Sequence, residues 1–548
     1  MRCISMYVQP LRNLKKMDLS YSKNLMELPD ISSATQLVEL NLMGCSSLME
    51  LPSSIGNAIN LLDVNLSGCS SLLELPSSIG NAVNLVEFNL SGCSSLVELP
   101  SSIGNAINLK TLNLDGCSNL VKLPSSIGNI TNLSILKLGG CSRLVDLPFS
   151  IGNITFLKEL TLVDCSCLVE LPSSIGNAFL LRKLDLSGCF KLVKLPSSIG
   201  NAFIINKLDL SGCLSLVELP SSIGSIVNLH TLSLIGCSSL MELPSSIGNV
   251  TNITEMDFSG CSSLVEIPFA IGNLHKLERL SFKGCSKIKV LPFNINLKSL
   301  NLVDLSDCVL LKLFPEISTN IKFLMLSGTA IEEIPSSTVS WSRLYRLILK
   351  GCKKLVSLPQ LSDSLSHLDA ENCESLERLD CFFLNQNITL NFANCFKLNQ
   401  EARDLIVQIQ TRGVTILPGV EVPAYFTYRA TQDFLTLKLD HKPLHTALRF
   451  KGSILLINEA GVGACLWMRL HCRIMFRQNG LTVTQSPTNL VVSPVLAEHL
   501  YTFEIIEEVT SDELFFRFEI YTFTDTGTWK IGECGVIQLL EIPLIGNA

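Results

Sequence analysis

Residues 37–60 read LVELNLMGCSSLMELPSSIGNAIN, and residues 61–84 follow without a gap as LLDVNLSGCSSLLELPSSIGNAVN. The same wording recurs along the chain. Cysteines stand at 45, 69, 93, 117, 141, 165, 189, 213, 237, 261 and 285, each 24 residues after the last, and prolines keep the same step from Pro52 to Pro292. Self-similarity at a fixed period between about 20 and 50 residues marks a stacked repeat architecture rather than a single globular core. In Leu40-Asn41-Leu42 the alternation predicts a short strand, with Leu40 and Leu42 inward and Val38, Glu39, Asn41 and Met43 outward. One such strand cannot bury its apolar side alone, so successive strands stack in parallel over a continuous core.

The shared frame is L-x-x-L-x-L-x-x-C-x-x-L-x-x-L-P-x-x-I, the pattern of a leucine-rich repeat. Ser22 holds the cysteine position before the regular array, and Cys308, Thr329, Cys352, Cys373 and Cys395 hold it afterwards. The lattice thus predicts about 17 repeats over residues 1–397, an α/β solenoid curved into a horseshoe with its parallel sheet on the concave face. Pro52 ends extended structure, and the hydroxyls of Ser53 and Ser54 are expected to cap a short turn. Ile55 returns apolar bulk to the core, and Gly56-Asn57 is expected to permit a tight turn.

The 21 cysteines of this 548-residue chain would suggest disulfides in a small secreted domain, but no secretory leader is legible in MRCISMYVQPLRNLKK. In-register neighbours also project in parallel, which suits neither a disulfide ladder nor the convergence of ligands on a metal. The column therefore reads as buried, unbridged thiols donating weakly to loop carbonyls, for which Ser22 and Thr329 are small substitutes. Charged residues are only 17% and the net charge is −7, which lacks the basic footprint of a nucleic-acid binder. No apolar run is long enough to span a membrane.

After Cys395 the period stops. QEARDLIVQIQ (400–410) predicts an amphipathic helix on Ala402, Leu405, Ile406 and Ile409, placed to cap the open end of the solenoid. RFKGSILLIN, CLWMRLHCRIMF, HLYTFEII, ELFFRFEIYTF and WKIGECGVIQLLEI then predict strands separated by turns, an all-β sandwich or jelly roll over residues 398–548.

Three stretches carry a resemblance: PLRNLKKMDLSYSKNLMELPDIS, the LSGCSSLVELPSSIGNA units, and ANCFKLNQEARDLI leading into LPGVEVPAYFTYRAT. They closely resemble plant intracellular disease-resistance receptors of the TIR-NB-LRR type, and WKIGECGVIQLLEI is similar to the closing strands of that family's post-repeat jelly-roll (C-JID-like) domain. The resemblance implies a cytoplasmic or nuclear recognition module that binds a pathogen effector or a guarded host protein. In full-length relatives, nucleotide-binding and TIR domains act in cis. No G-x-x-x-x-G-K-[ST] phosphate loop occurs here, and the family's NAD-cleaving TIR domain is absent. These residues are accordingly read as carrying no cofactor and no enzyme activity, in a fragment or a shortened form of a larger product. A scaffold or decoy that pairs with another receptor is the alternative.

Outward strand positions are the candidate partner surface. They comprise Lys158, Glu159, Arg182, Lys183, Asp185, Lys207, Asp209, Arg279 and Lys283, then Tyr345, Arg346 and Lys350, with the tyrosine–arginine pair preferred because those types dominate binding hot spots. The uniform Ser67, Ser91, Ser187, Ser211 and Ser259 column suggests a monotonous centre, so discrimination is expected from residues 300–400 and the β-sandwich. Catalytic sets are weak: Pro443 separates His441 from His445, and His471 and Cys472 are adjacent on a strand and face opposite ways. Cys465 belongs to the same apolar run.

Overall fold

The computed structural model describes residues 11–292, 297–440, 447–458, 468–478, 481–484, 488–492, 496–509, 511–522 and 529–539. Two compact units are present: Met1–Leu302 with Glu316–Ser318, and Val303–Pro315 with Thr319–Ala548.

In the first unit every rung is a three-residue strand, as in Glu39–Asn41, Asp63–Asn65 and Glu87–Asn89, paired in parallel with no slip in register. Leu40 and Leu42 are buried while Val38, Glu39, Asn41 and Met43 stay partly exposed, as the alternation requires. Each cysteine Sγ donates to the carbonyl of the previous rung's post-strand residue, Cys69 to Leu42 and Cys93 to Leu66 at 3.2 Å. The described cysteines are free of disulfides. Burial pushes the thiols of Cys69, Cys117 and Cys165 up to about 12. A reactive thiol needs the opposite shift, so this column is structural.

The back of each rung is a 3₁₀ turn such as Ser53–Asn57, in which the Ile55 amide donates to the Pro52 carbonyl. Two expectations are corrected here. No serine hydroxyl caps these turns: Pro52 is the N-cap and makes no side-chain bond. The second serine instead packs inward against the neighbouring rung, and Ser78 and Ser102 Oγ are buried without a partner. Nor does Gly56 serve a special turn conformation; a Cβ there would lie 2.7 Å from both Ser78 Cβ and Ser78 O. The glycine column is set by how closely turns stack. Left-handed backbone belongs to a different column, Gly44 (φ 72°) and its equivalents just before the cysteine.

The second unit continues with parallel strands Phe323–Met325, Arg346–Ile348, His367–Asp369 and Thr389–Asn391. Thr415–Pro418 then adds to Thr389–Asn391 in parallel and pairs antiparallel with His499–Glu508. That strand thereby closes the edge of the repeat sheet, a correction to the helical cap. Helix α1 (Gln400–Gln408) forms where expected but ends two residues early, burying Ala402, Ile406 and Val407 rather than Leu405 and Ile409, and is started by Asn399, whose side chain accepts from the Ala402 amide. It packs beside Arg378–Leu379 and Thr415–Pro418. Two antiparallel sheets complete the unit. One contains 447–458, 499–508 and 529–538; the other contains 434–438, 468–478 and 513–522. Phe450 meets Phe516 with ring centroids 5.1 Å apart, and Phe503 meets Phe518 at 6.1 Å, so the sheets pack face to face as a β-sandwich.

Candidate protein-docking surface

The outward face of the first unit's sheet carries most of the expected site residues, but not in equivalent states. Lys183 bridges to Glu159 at 2.9 Å, and that carboxylate raises the lysine's affinity for its proton. Asp185 and Asp209 are committed locally: each Oδ1 accepts from the amide and hydroxyl of the serine two residues on, Ser187 and Ser211. They hold the exit from the strand, as Asn65 does with Ser67. Lys158, Arg182, Lys207, Arg279 and Lys283 are exposed and make no ion pair among the described residues. Past the cysteine, the lattice positions 50, 74, 98, 146 and 170 hold exposed Glu or Asp, interrupted by Lys122, which bridges to Glu98, and by Lys194.

In the second unit the structure brings Tyr345 and Arg346 into a larger cluster. Tyr345 lies between Phe323, edge-on at 6.0 Å, and His367 at 5.1 Å. Lys322 Nζ sits 5.4 Å from the Phe323 ring centre and 5.7 Å from that of Tyr345, within range of a cation–π attraction. Arg346 pairs in register with Phe323 and His367. Burial, aided by the Arg346 charge, lowers the proton affinity of His367, leaving the ring neutral near pH 7. Lys350 has a different job. Its amine bridges to the nearly buried Glu371 at 3.0 Å, and Asn391 Nδ2 donates to both Glu371 Oε2 (3.3 Å) and Asp369 Oδ1 (3.0 Å). Lys350 thus offsets buried carboxylates and is not a free docking cation.

Sequence reasoning missed Lys322, Phe323 and His367. They occupy the outward positions before and within successive strands, so the rung lattice could have found them. Tyr345 and Arg346 were singled out by residue type instead. His441, His445 and Cys465 lie outside the described residues. Cys472 is buried and its thiol is pushed well up by burial, while His471 meets Tyr521 with ring centroids 4.6 Å apart and planes tilted by 49°. No cluster able to hold a metal occurs among the described residues, and no described helix is long and apolar enough to cross a membrane.

Parallel single-turn rungs with an apolar interior, a polar outward sheet face and 3₁₀ backs define a leucine-rich-repeat protein, and the Leucine Rich Repeat family model matches residues 108–130 and 180–202. The repeat region is homologous to that of plant disease resistance proteins. It is 44% identical to the probable disease resistance protein RPP1 of Arabidopsis thaliana over 45% of this chain and 24% of that protein. It is 51% identical to the Arabidopsis disease resistance protein TAO1 over 30% of this chain and 14% of that one. The chain therefore matches about a quarter or less of these relatives' length. Among solved structures, a leucine-rich-repeat protein of Leptospira interrogans aligns over 74% of this chain and 96% of its own, with 22% identity and a TM-score of 0.39.

Proposed function

We propose that the chain is the protein-recognition part of a plant defence receptor, binding a pathogen effector or a guarded host protein. On this reading residues 1–397 form the recognition solenoid and 398–548 a post-repeat β domain, acting in the cytoplasm or nucleus and performing no bond chemistry of their own. The observation that carries it is the cluster of exposed Lys322 and Tyr345 with half-buried Phe323, Arg346 and His367 on the outward sheet face. Aromatic rings fixed by their neighbours and flanked by cations are the side chains that concentrate binding energy at protein interfaces. Homology to disease resistance proteins supplies the class of process. Ligand binding would act by favouring one state of a larger receptor over another.

The test is co-purification of candidate effectors and host proteins with the chain and with a Tyr345→Ala, Arg346→Glu variant. Loss of about 2 kcal/mol of binding, roughly 30-fold, is expected for a hot spot. Undiminished binding by a folded variant removes the cluster from the contact. A stable host partner in uninfected tissue, with no pathogen ligand, would favour the scaffold or decoy reading.

A further inference from the structure

Between rungs the side chains form ladders of their own, and the places where those ladders fail are local. On the approach to each strand an asparagine Nδ2 donates to a carbonyl of the previous rung: Asn84 to Ile59, Asn108 to Val83, Asn132 to Ile107, then Asn228 to Phe203 and Asn252 to Val227, at 2.8–3.2 Å. The three positions between, 156, 180 and 204, hold Phe, Leu and Ile. A donor that satisfied a backbone carbonyl has been exchanged for an apolar side chain in three consecutive rungs. Phe179 and Phe203 fall in the adjacent column of the same stretch. The exposures decide what this means: Phe156 is 50% exposed, Phe179 52%, Leu180 38% and Phe203 47%. These rings do not serve the core, and stability alone would favour the asparagine.

The far margin of the sheet face breaks at the same height. There a serine hydroxyl donates to the preceding rung's serine carbonyl, Ser142 to Ser118 and Ser166 to Ser142. Positions 190 and 214 are Phe and Leu instead, each 45% exposed. Between the margins lie Lys158, Arg182 and Lys207, exposed and free of ion pairs among the described residues. Backbone hydrogen bonds from Arg182 N to Lys158 O (2.8 Å) and from Asn206 N to Arg182 O (2.9 Å) keep these rungs side by side.

We infer that residues 156–214 form a second docking surface, for a protein segment carrying apolar anchors flanked by carboxylates. The apolar part follows from exposed aromatic side chains contiguous over three rungs, where exposed apolar surface marks an interaction site. The acidic part follows from charge: the cations that border the rings are unpaired, whereas Asp185, Asp209 and Glu159 already have partners. The inference rests on the reading of the chain as a protein-binding module.

The probe is a short fluorescein-labelled peptide alternating Asp or Glu with Leu and Phe, titrated with the full chain by anisotropy. It is compared with a version bearing Lys for every acid and one bearing Ser for every apolar residue. Binding of the first at least ~10-fold tighter than of the other two is expected. The variant Phe156→Asn, Leu180→Asn, Ile204→Asn restores the repeat's own asparagine ladder, so it should fold with an unchanged or higher Tm and still lose about 10-fold in affinity. Tyr345→Ala, Arg346→Glu should leave the peptide's affinity unchanged. Absence of binding, equal binding of the charge-inverted peptide, or full affinity in the asparagine variant overturns the inference. Loss of the peptide in the Tyr345 variant alone overturns it as well, while leaving the recognition reading intact. Peptide binding that vanishes because the chain self-associates, seen by sedimentation, would assign the patch to a second copy and also refute it.

Discussion

The repeat rungs and the β-sandwich solve the same burial problem at different distances along the chain. In the rungs the partners that join one turn to the next are 22–27 residues away: Cys69 Sγ reaches Leu42 O across 27, Asn84 reaches Ile59 O across 25. In the sandwich the Val422 amide donates to Glu533 Oε2 across 111 residues, and the Asn394 amide donates to His499 Nε2 across 105. The rungs carry uniform polar groups, one thiol or one asparagine per turn. The sandwich carries singular ones, such as Lys451, which is buried and donates to the Val407 and Ile409 carbonyls at the end of α1. Repetition makes a fold that is easy to read and chemically uniform, so its informative residues are the exceptions.

The largest expected contrast is with alkali. The folded thiols of Cys69, Cys117 and Cys165 stand at about 12 against an ordinary 9.0. A raised folded value means that the stabilisation is complete below pH 9 and is lost as pH climbs from 9 toward 12. Each thiol forfeits roughly 1.4 kcal/mol per pH unit in that window, so these three together lose on the order of 4 kcal/mol by pH 10. Circular dichroism with thiolate absorbance should show the rungs melting together above pH 9, ahead of the sandwich, whose described cysteines are Cys472 and Cys534. Sandwich-first melting would break the contrast.

A smaller effect separates two glycines. An alanine Cβ at Gly80 would lie 2.3 Å from the Ser102 carbonyl oxygen, backbone that is itself locked in the next rung. Gly80→Ala should cost about 3 kcal/mol by overpacking. At Gly532 the obstacle is the far end of Ile457, partly exposed and able to swing away, and Gly532→Ala should cost about 1 kcal/mol. Urea midpoints of the two variants compare them directly.

A pH effect of the opposite sign belongs to the sandwich. Burial lowers the Lys451 amine to about 7 from its ordinary 10.5. With a depressed folded value, the stabilisation is fully present only above the unfolded value and is lost as pH falls toward 7. Stability of the sandwich should therefore rise by roughly 2 kcal/mol between pH 7 and 9, and the slope should flatten in Lys451→Met. A variant with the wild-type slope would mean that another group supplies it.

Legibility followed the same division. The period, strand positions, apolar interior and unbridged thiols were all readable, because each depends on one short segment repeated beside itself. The strands of residues 447–538 were also placed closely, since alternation and turn residues are local signals. Misreadings arose where an inter-rung distance decided the role of a side chain. Ser53 and Ser54 looked like caps, and Gly56 like a turn residue, until the next rung's approach was known. On the candidate surface, residue type found Tyr345 and Arg346 but could not say that Lys350 is tied to Glu371 or that Lys322 lies over two rings.

The amino-acid sequence by itself determined that leucines recurring every 24 residues must stack, because a three-residue strand has no other way to bury its apolar side. Tertiary structure alone decided which polar groups are spent on the fold and which remain free. That choice depends on a partner brought close by other parts of the chain: on the strand at 415–418 closing the sheet edge, His499 taking up the Asn394 amide, and neighbouring rungs leaving Phe156 and Phe179 uncovered.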